Sequence, residues 1–155
     1  MIKTLIFDLG KVIVDYNHAK IVSSVAEKSD FSESEIQAKM FSSQLTKDYE
    51  VGKISTQEFF EGVKKSLNLQ MTLAEFDFAW NSTFEPKAIL PESLFENLAK
   101  KYRLIVLSDT NEMHFQFIRK NFSALNHFHD FVLSYDVKAF KPMPEMFNYA
   151  IKSAN

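Results

Sequence analysis

Cysteine is absent from this sequence, which excludes disulfides, thiolate chemistry and cysteine-ligated zinc. There is no surplus of positive charge either: 18 Lys and Arg stand against 20 Asp and Glu, for a net charge of −2. Without a Lys/Arg cluster to track phosphates, nucleic acid is not an expected partner. Apolar runs are short, none approaching the ~20 residues that span a bilayer. The first of them ends at Asp8, too soon for a signal peptide. No membrane partner is expected, and the cytoplasm is the default location. Internal repeats and low-complexity segments are also missing.

What remains is a chain of 155 residues, 46% hydrophobic and 25% charged, which reads as one globular domain or a small core carrying an insertion. Its 16 phenylalanines predict a core built on large aromatic side chains. Three short, continuously apolar segments read as buried parallel strands: Ile2 to Phe7, Leu104 to Leu107 and Phe131 to Leu133. A helix from Glu112 to Phe122 lies between the second and third, making a βαβ unit whose crossover should be right-handed.

The interval from Asn17 to Pro86 shows no strand pattern and reads as four helices. They begin at His18, Ser32, Ser55 and Thr72, with capping boxes at Ser32-Glu33-Ser34-Glu35 and Ser55-Thr56-Gln57-Glu58. Gly52 falls in the turn Val51-Gly52-Lys53, where a positive φ is expected. Pro86 and Pro91 mark a return to the first pattern, followed by a helix from Glu92 to Lys101. The fold class is therefore α/β: a Rossmann-like core of residues 1–15 and 87–155, interrupted by an all-helical block of residues 16–86.

Asp8 ends the first strand, Ser108 ends the second with Asp109 beside it, and Lys141 follows the third in a loop that opens a helix at Pro144. Taken singly, Asp8 also reads as a turn residue, Ser108 as a helix cap and Lys141 as a solvated lysine. Taken together, parallel and adjacent strands would bring all three to one sheet edge. There an anionic group would meet a carboxylate, a hydroxyl and a fixed cation. Tyr16, Phe41, Tyr49 and Trp80 either line such a pocket or pack the helical block.

Asp8-Leu9-Gly10-Lys11-Val12-Ile13-Val14-Asp15 resembles motif I of the haloacid dehalogenase (HAD) superfamily. Leu107-Ser108-Asp109-Thr110-Asn111 resembles motif II, and Lys141-Pro142-Met143-Pro144-Glu145-Met146-Phe147 resembles motif III. Tyr49 to Ser55 is similar to the turn between cap helices in the bacterial glucose-1-phosphate phosphatase-like group. The resemblance implies a hydrolase of small phosphorylated metabolites, with Asp8 as the nucleophile that forms an aspartyl-phosphate and also ligates Mg²⁺. By it, the Gly10 carbonyl is a second magnesium ligand, Ser108 and Asp109 bind substrate, and Lys141 neutralises nucleophile and phosphoryl group. The helical block would be a cap that closes over the site.

Two departures accompany the resemblance. Position +2 after the nucleophile is Gly10, where most HAD phosphatases carry an Asp as general acid and base. Asp15 is one candidate substitute and equally a polar residue ending an apolar run. The family also continues with a fourth and a fifth strand beyond the point where this sequence ends at Asn155, so only three of its strands are expected here. Truncation is the favoured account of that ending, against completion by another chain and a degenerate, binding-only protein. Self-association through the uncovered edge of strand one is expected in the first two cases. Rival activities are a dehalogenase, disfavoured because residues 9–20 contain no Arg, and a phosphonatase using one of Lys39, Lys47, Lys53, Lys64 or Lys65. The four histidines, His18, His114, His127 and His129, are not expected to form a zinc site.

Overall fold

The computed structural model describes residues 2–154. In chain order its elements are β1 (Thr4–Phe7), β2 (Val14–Tyr16), α1 (His18–Ala26), α2 (Glu33–Phe41), α3 (Gln44–Glu50), α4 (Thr56–Ser66) and α5 (Leu73–Asn81). There follow β3 (Phe84–Ala88), α6 (Glu92–Ala99), β4 (Arg103–Ser108), α7 (Glu112–Asn121), a 3₁₀ turn (Ser123–His127), β5 (Asp130–Leu133), α8 (Ser134–Val137) and α9 (Pro144–Ala154).

β4 lies between β1 and β5 and is parallel to both, pairing Leu5 with Leu104 on one side and Leu107 with Val132 on the other. Its unbroken apolar run follows from burial on two faces. Leu104 and Val106 pack with Phe95, Ile118 and Leu125, while Ile105 and Leu107 pack with Val132, Met146 and Ala150 beneath α9. β1 shares only the first of these faces. Leu5 and Phe7 join that cluster, whereas Ile6 points the other way and is 45% exposed. Thr4 Oγ1 nonetheless donates to the carbonyl of Ala154 at 3.1 Å, tying the end of α9 to β1.

α1 to α5 share a separate core of Ile21, Val25, Ile36, Met40, Phe59, Phe76 and Trp80, to which Met113 of α7 adds one side chain. The aromatic content is concentrated here: Tyr49 stacks on Phe59 at 4.3 Å and Phe59 meets Trp80 edge-on at 5.1 Å. Capping boxes at Ser32/Glu35 and Ser55/Glu58 form as expected, and Thr72/Glu75 makes a third.

The helical interval differs from expectation in two respects. First, it contains five helices, because α3 begins at Ser43 with a single side-chain cap and shows little amphipathic pattern over its seven residues. Second, Val14–Tyr16 and Phe84–Ala88 form an antiparallel ribbon, although strands were not expected there. Pro86 and two charged residues in Phe84-Glu85-Pro86-Lys87-Ala88 disguise β3, and the ribbon tolerates them because it has only two strands and a register shift. This ribbon carries the chain out to the helices and back.

Three consecutive contacts fasten the turn after α3 to the α/β core. The amide of Met113 donates to Tyr49 Oη at 3.1 Å, Ser134 Oγ lies 2.7 Å from the Glu50 carbonyl and 2.8 Å from that of Thr110, which share its proton, and Lys138 Nζ donates to the Gly52 carbonyl. Gly52 has φ +62°, and a Cβ there would lie 2.2 Å from the carbonyl oxygen of Tyr135. Gly52→Ala should therefore destabilise the protein by at least ~1–2 kcal/mol from the left-handed conformation alone, with the backbone clash adding to it. Urea unfolding of the two proteins checks this; equal midpoints would refute the clamp.

Candidate active site

Because β1, β4 and β5 are parallel, their carboxyl ends share one edge, and a cavity of about 280 Å³ opens there. That is the size of site suited to a small metabolite. Asp8, Gly10, Ser108, Asp109 and Lys141 all line it. Lys141 Nζ sits 2.8 Å from Asp8 Oδ2 and 3.3 Å from the carbonyl of Leu107 at the end of β4. The backbone amide of Lys141 donates to Asp109 Oδ1 at 3.0 Å, so the carboxylate beside Ser108 fixes the loop that delivers the lysine. Asp8 is oriented by the amide of Leu9, which donates to its Oδ1 at 2.7 Å.

Ser108 is buried, and its hydroxyl makes one long bond, 3.3 Å to the Asp109 carbonyl. A ligand oxygen could replace that acceptor with a better one. Burial pushes the Asp109 carboxyl up, against the lowering effect of the Lys141 amide and ammonium. The edge therefore presents a carboxylate, a hydroxyl and an ammonium to one small volume, an arrangement suited to an anionic group whose charge is redistributed during reaction.

The cavity's other wall comes from the ribbon, the helical block and α7. Tyr16, His18, Phe41, Trp80 and His114 stack in sequence, with centroid separations of 4.9, 4.6, 6.0 and 5.0 Å along the row. Tyr49, grouped with these aromatics in the sequence, is instead fully buried against Phe59 and does not reach the cavity. Asp15 does not reach it either. Its carboxylate is held by Lys11 and by the amide of Tyr16, which keep it below the usual carboxylate range, and it is therefore not a substitute for an acid at position 10.

His114 was not anticipated as a wall residue, and its hydrogen bonds assign its state. Nε2 lies 3.1 Å from the carbonyl of Trp80 and must donate to it, and Nδ1 then accepts from the Asn111 amide at 3.1 Å. Asn111 Oδ1 accepts from the His114 amide and from Trp80 Nε1, closing the network. Both ring nitrogens are thus satisfied in the neutral form, and burial drives the imidazole well below its usual range. Glu50 also lines the cavity and was missed, since its only sequence signal is its place before the Val51-Gly52 turn. His127 lies elsewhere, paired with Glu92, and His129 Nδ1 accepts from the amide of Leu104.

Among the described residues no three His, Asp or Glu side chains are grouped to hold a metal. Oxygen donors are present, however: the Asp8 carboxylate and the Gly10 carbonyl, which accepts no hydrogen bond among the described residues. Such a set suits a hard cation that completes its shell with water and substrate oxygens.

The model of the family described as haloacid dehalogenase-like hydrolase matches residues 2–155. The chain belongs to this family. The chain is 29% identical to a D-ribitol-5-phosphate phosphatase of Bacteroides thetaiotaomicron over its whole length and 78% of that protein. A crystal structure of a HAD family enzyme from the same organism superposes with a TM-score of 0.88 at 26% identity, covering 99% of this chain and 78% of the other. Its complex with magnesium and inorganic phosphate gives 0.86 at 27% identity, over 99% and 79%. No helix among the described residues of this HAD-like hydrolase is long and apolar enough to cross a membrane.

The His114 network predicts a pH dependence. In the unfolded chain the imidazole titrates near 6.5 and in the fold well below it. The unfolded state therefore takes up the proton first, and stability contributed by neutral His114 is present above about pH 6.5 and lost as pH falls further. His114→Gln, which retains a donor toward Trp80, should have a lower melting temperature at pH 7.5 and a shallower decline between pH 6.5 and 4.5. Parallel melting curves would refute the assignment.

Proposed function

We propose that this HAD-like hydrolase is a Mg²⁺-dependent phosphatase acting on small phosphate monoesters of the sugar or polyol class. The observation that carries this reading is the 2.8 Å contact of Lys141 Nζ with Asp8 Oδ2 at the strand edge, beside the underused hydroxyl of Ser108. The likeness to a ribitol-phosphate phosphatase and to a structure holding magnesium and phosphate supports it.

In this reading one oxygen of Asp8 attacks phosphorus as the ester bond to the leaving alcohol breaks, giving an aspartyl-phosphate that water then hydrolyses. Lys141 compensates the carboxylate in the free protein and the phosphoryl oxygens as charge moves onto them. Ser108 donates to one of those oxygens from the adjacent strand end, and Asp109 holds the Lys141 loop in place. Asp8 and the Gly10 carbonyl would hold the Mg²⁺, which supplies further neutralisation of phosphoryl charge. Residues 16–86 serve as the cap over a core of residues 1–15 and 87–155, its aromatic wall excluding water and facing the leaving group.

Hydrolysis of p-nitrophenyl phosphate and of a panel including ribitol 5-phosphate and glucose 1-phosphate, with Mg²⁺ and with chelator, tests the reading. Turnover should require Mg²⁺ and be abolished by Asp8→Asn, while isothermal titration with Mg²⁺ alone shows only weak binding. Lys141→Ala should lower kcat/KM by roughly 10²–10³-fold, the scale for loss of one charge-stabilising group, and Ser108→Ala by less. Full activity of Asp8→Asn would remove the nucleophile from this account.

A further inference from the structure

Gly10 cannot transfer a proton, and a longer side chain there would require the Tyr16 ring to shift. A Cβ on Gly10 would lie 2.8 Å from Cε1 of Tyr16, whose ring fills the space beside the glycine. A proton for the leaving alcohol must therefore come from another wall of the cavity. Three carboxylates line it. Asp8 is paired with Lys141, and Asp109 accepts from the Lys141 amide. His114 is excluded as well, since both of its nitrogens are engaged in the neutral form.

The third carboxylate is different. Glu50 is half-buried at the end of α3, and its carboxylate accepts no hydrogen bond and joins no ion pair among the described residues. Its backbone is tied to the core: the fully buried Ser134 Oγ accepts from the Thr110 amide at 3.0 Å and has its one proton shared between the carbonyls of Glu50 at 2.7 Å and Thr110 at 2.8 Å. The residues on either side are fastened too, through Tyr49 Oη and the Gly52 carbonyl. A free carboxyl is thus carried by the helical block but positioned by the core, next to the strand edge where Asp8 and Ser108 stand.

We propose that Glu50 is the proton donor to the leaving-group oxygen, taking the place of an acid at position 10. The inference rests on the phosphatase reading above. Asp8 forms its bond to phosphorus while the ester P–O bond breaks, and the leaving oxygen takes the proton of the Glu50 carboxyl. The Glu50 carboxylate then accepts a proton from water as the water oxygen bonds to phosphorus. The acyl-phosphate P–O bond breaks, releasing phosphate and returning Asp8 as carboxylate and Glu50 as acid. Burial and the neighbouring Asp109 push the Glu50 carboxyl up, in the direction that keeps it protonated and able to donate, with Lys47 opposing.

The test compares first-turnover release of two leaving groups by the unaltered protein and Glu50→Gln. One is p-nitrophenolate, stable enough to leave without a proton; the other is the alcohol of whichever sugar or polyol phosphate in the panel is turned over fastest. Release of the alcohol should slow by about 10²–10⁴-fold, the usual contribution of general acid catalysis, and release of nitrophenolate by less than about tenfold. Glu50→Asp, which keeps the carboxyl, should recover part of the loss and serves as the test if the glutamine variant does not fold. Equal slowing of both leaving groups, or slowing of neither, overturns the donor role. An unaltered protein inactive on every ester instead overturns the phosphatase reading, and the Glu50 role with it.

Discussion

β4 gives its backbone hydrogen bonds to β1 on one side and β5 on the other. Because both pairings are parallel, residues at the carboxyl ends of three strands and their loops must lie on one edge. Asp8, Ser108 and Lys141 are far apart in sequence and meet for this reason alone. The register puts Phe7 beside Val106 and Ser108 beside Leu133, so each polar residue emerges as its strand ends. A slip of one residue in either ladder would turn Ser108 or its neighbours to the opposite face. The apolar side chains of β4, packed against separate clusters above and below, oppose such a slip.

The helical block has a core of its own, yet its position over the edge is not left to apolar contact. Ser134 sits at the start of α8 with no exposure and links the Thr110 backbone to the Glu50 carbonyl. With Tyr49 Oη and Lys138 on either side, hydrogen bonds at three nearly consecutive residues join the two halves. The buried member, from the Met113 amide to Tyr49 Oη, is the costly one to break, because it would leave a polar group that water cannot reach. The same turn carries the residue that faces the cavity without a partner. Rigidity of its backbone and freedom of its carboxylate are compatible, and a proton donor needs both.

The aromatic row from Tyr16 to His114 does two things. It gives the cavity an aromatic wall, and it occupies the ground beside Gly10. A cavity walled by stacked rings on one side and by an ammonium, a hydroxyl and carboxylates on the other separates the polar and apolar parts of any ligand it takes.

The sequence by itself determined the three strands of the parallel sheet, most of the helices and the residues of the edge. Continuous apolar runs, capping boxes and Pro144 are local signals, and the spacing of Asp8, Ser108 and Lys141 after their strands is visible without coordinates. Gly52 was legible too, since a turn between two helices calls for positive φ. Tertiary structure decided the rest. β3 hid behind a proline because a two-stranded ribbon does not need the hydrogen bond that proline lacks. In sequence Asp15 stands out as a substitute acid and Glu50 does not. Only the fold ties Asp15 to Lys11 and turns Glu50 into the cavity, because what a carboxylate can do is set by the groups around it, and those come from other parts of the chain.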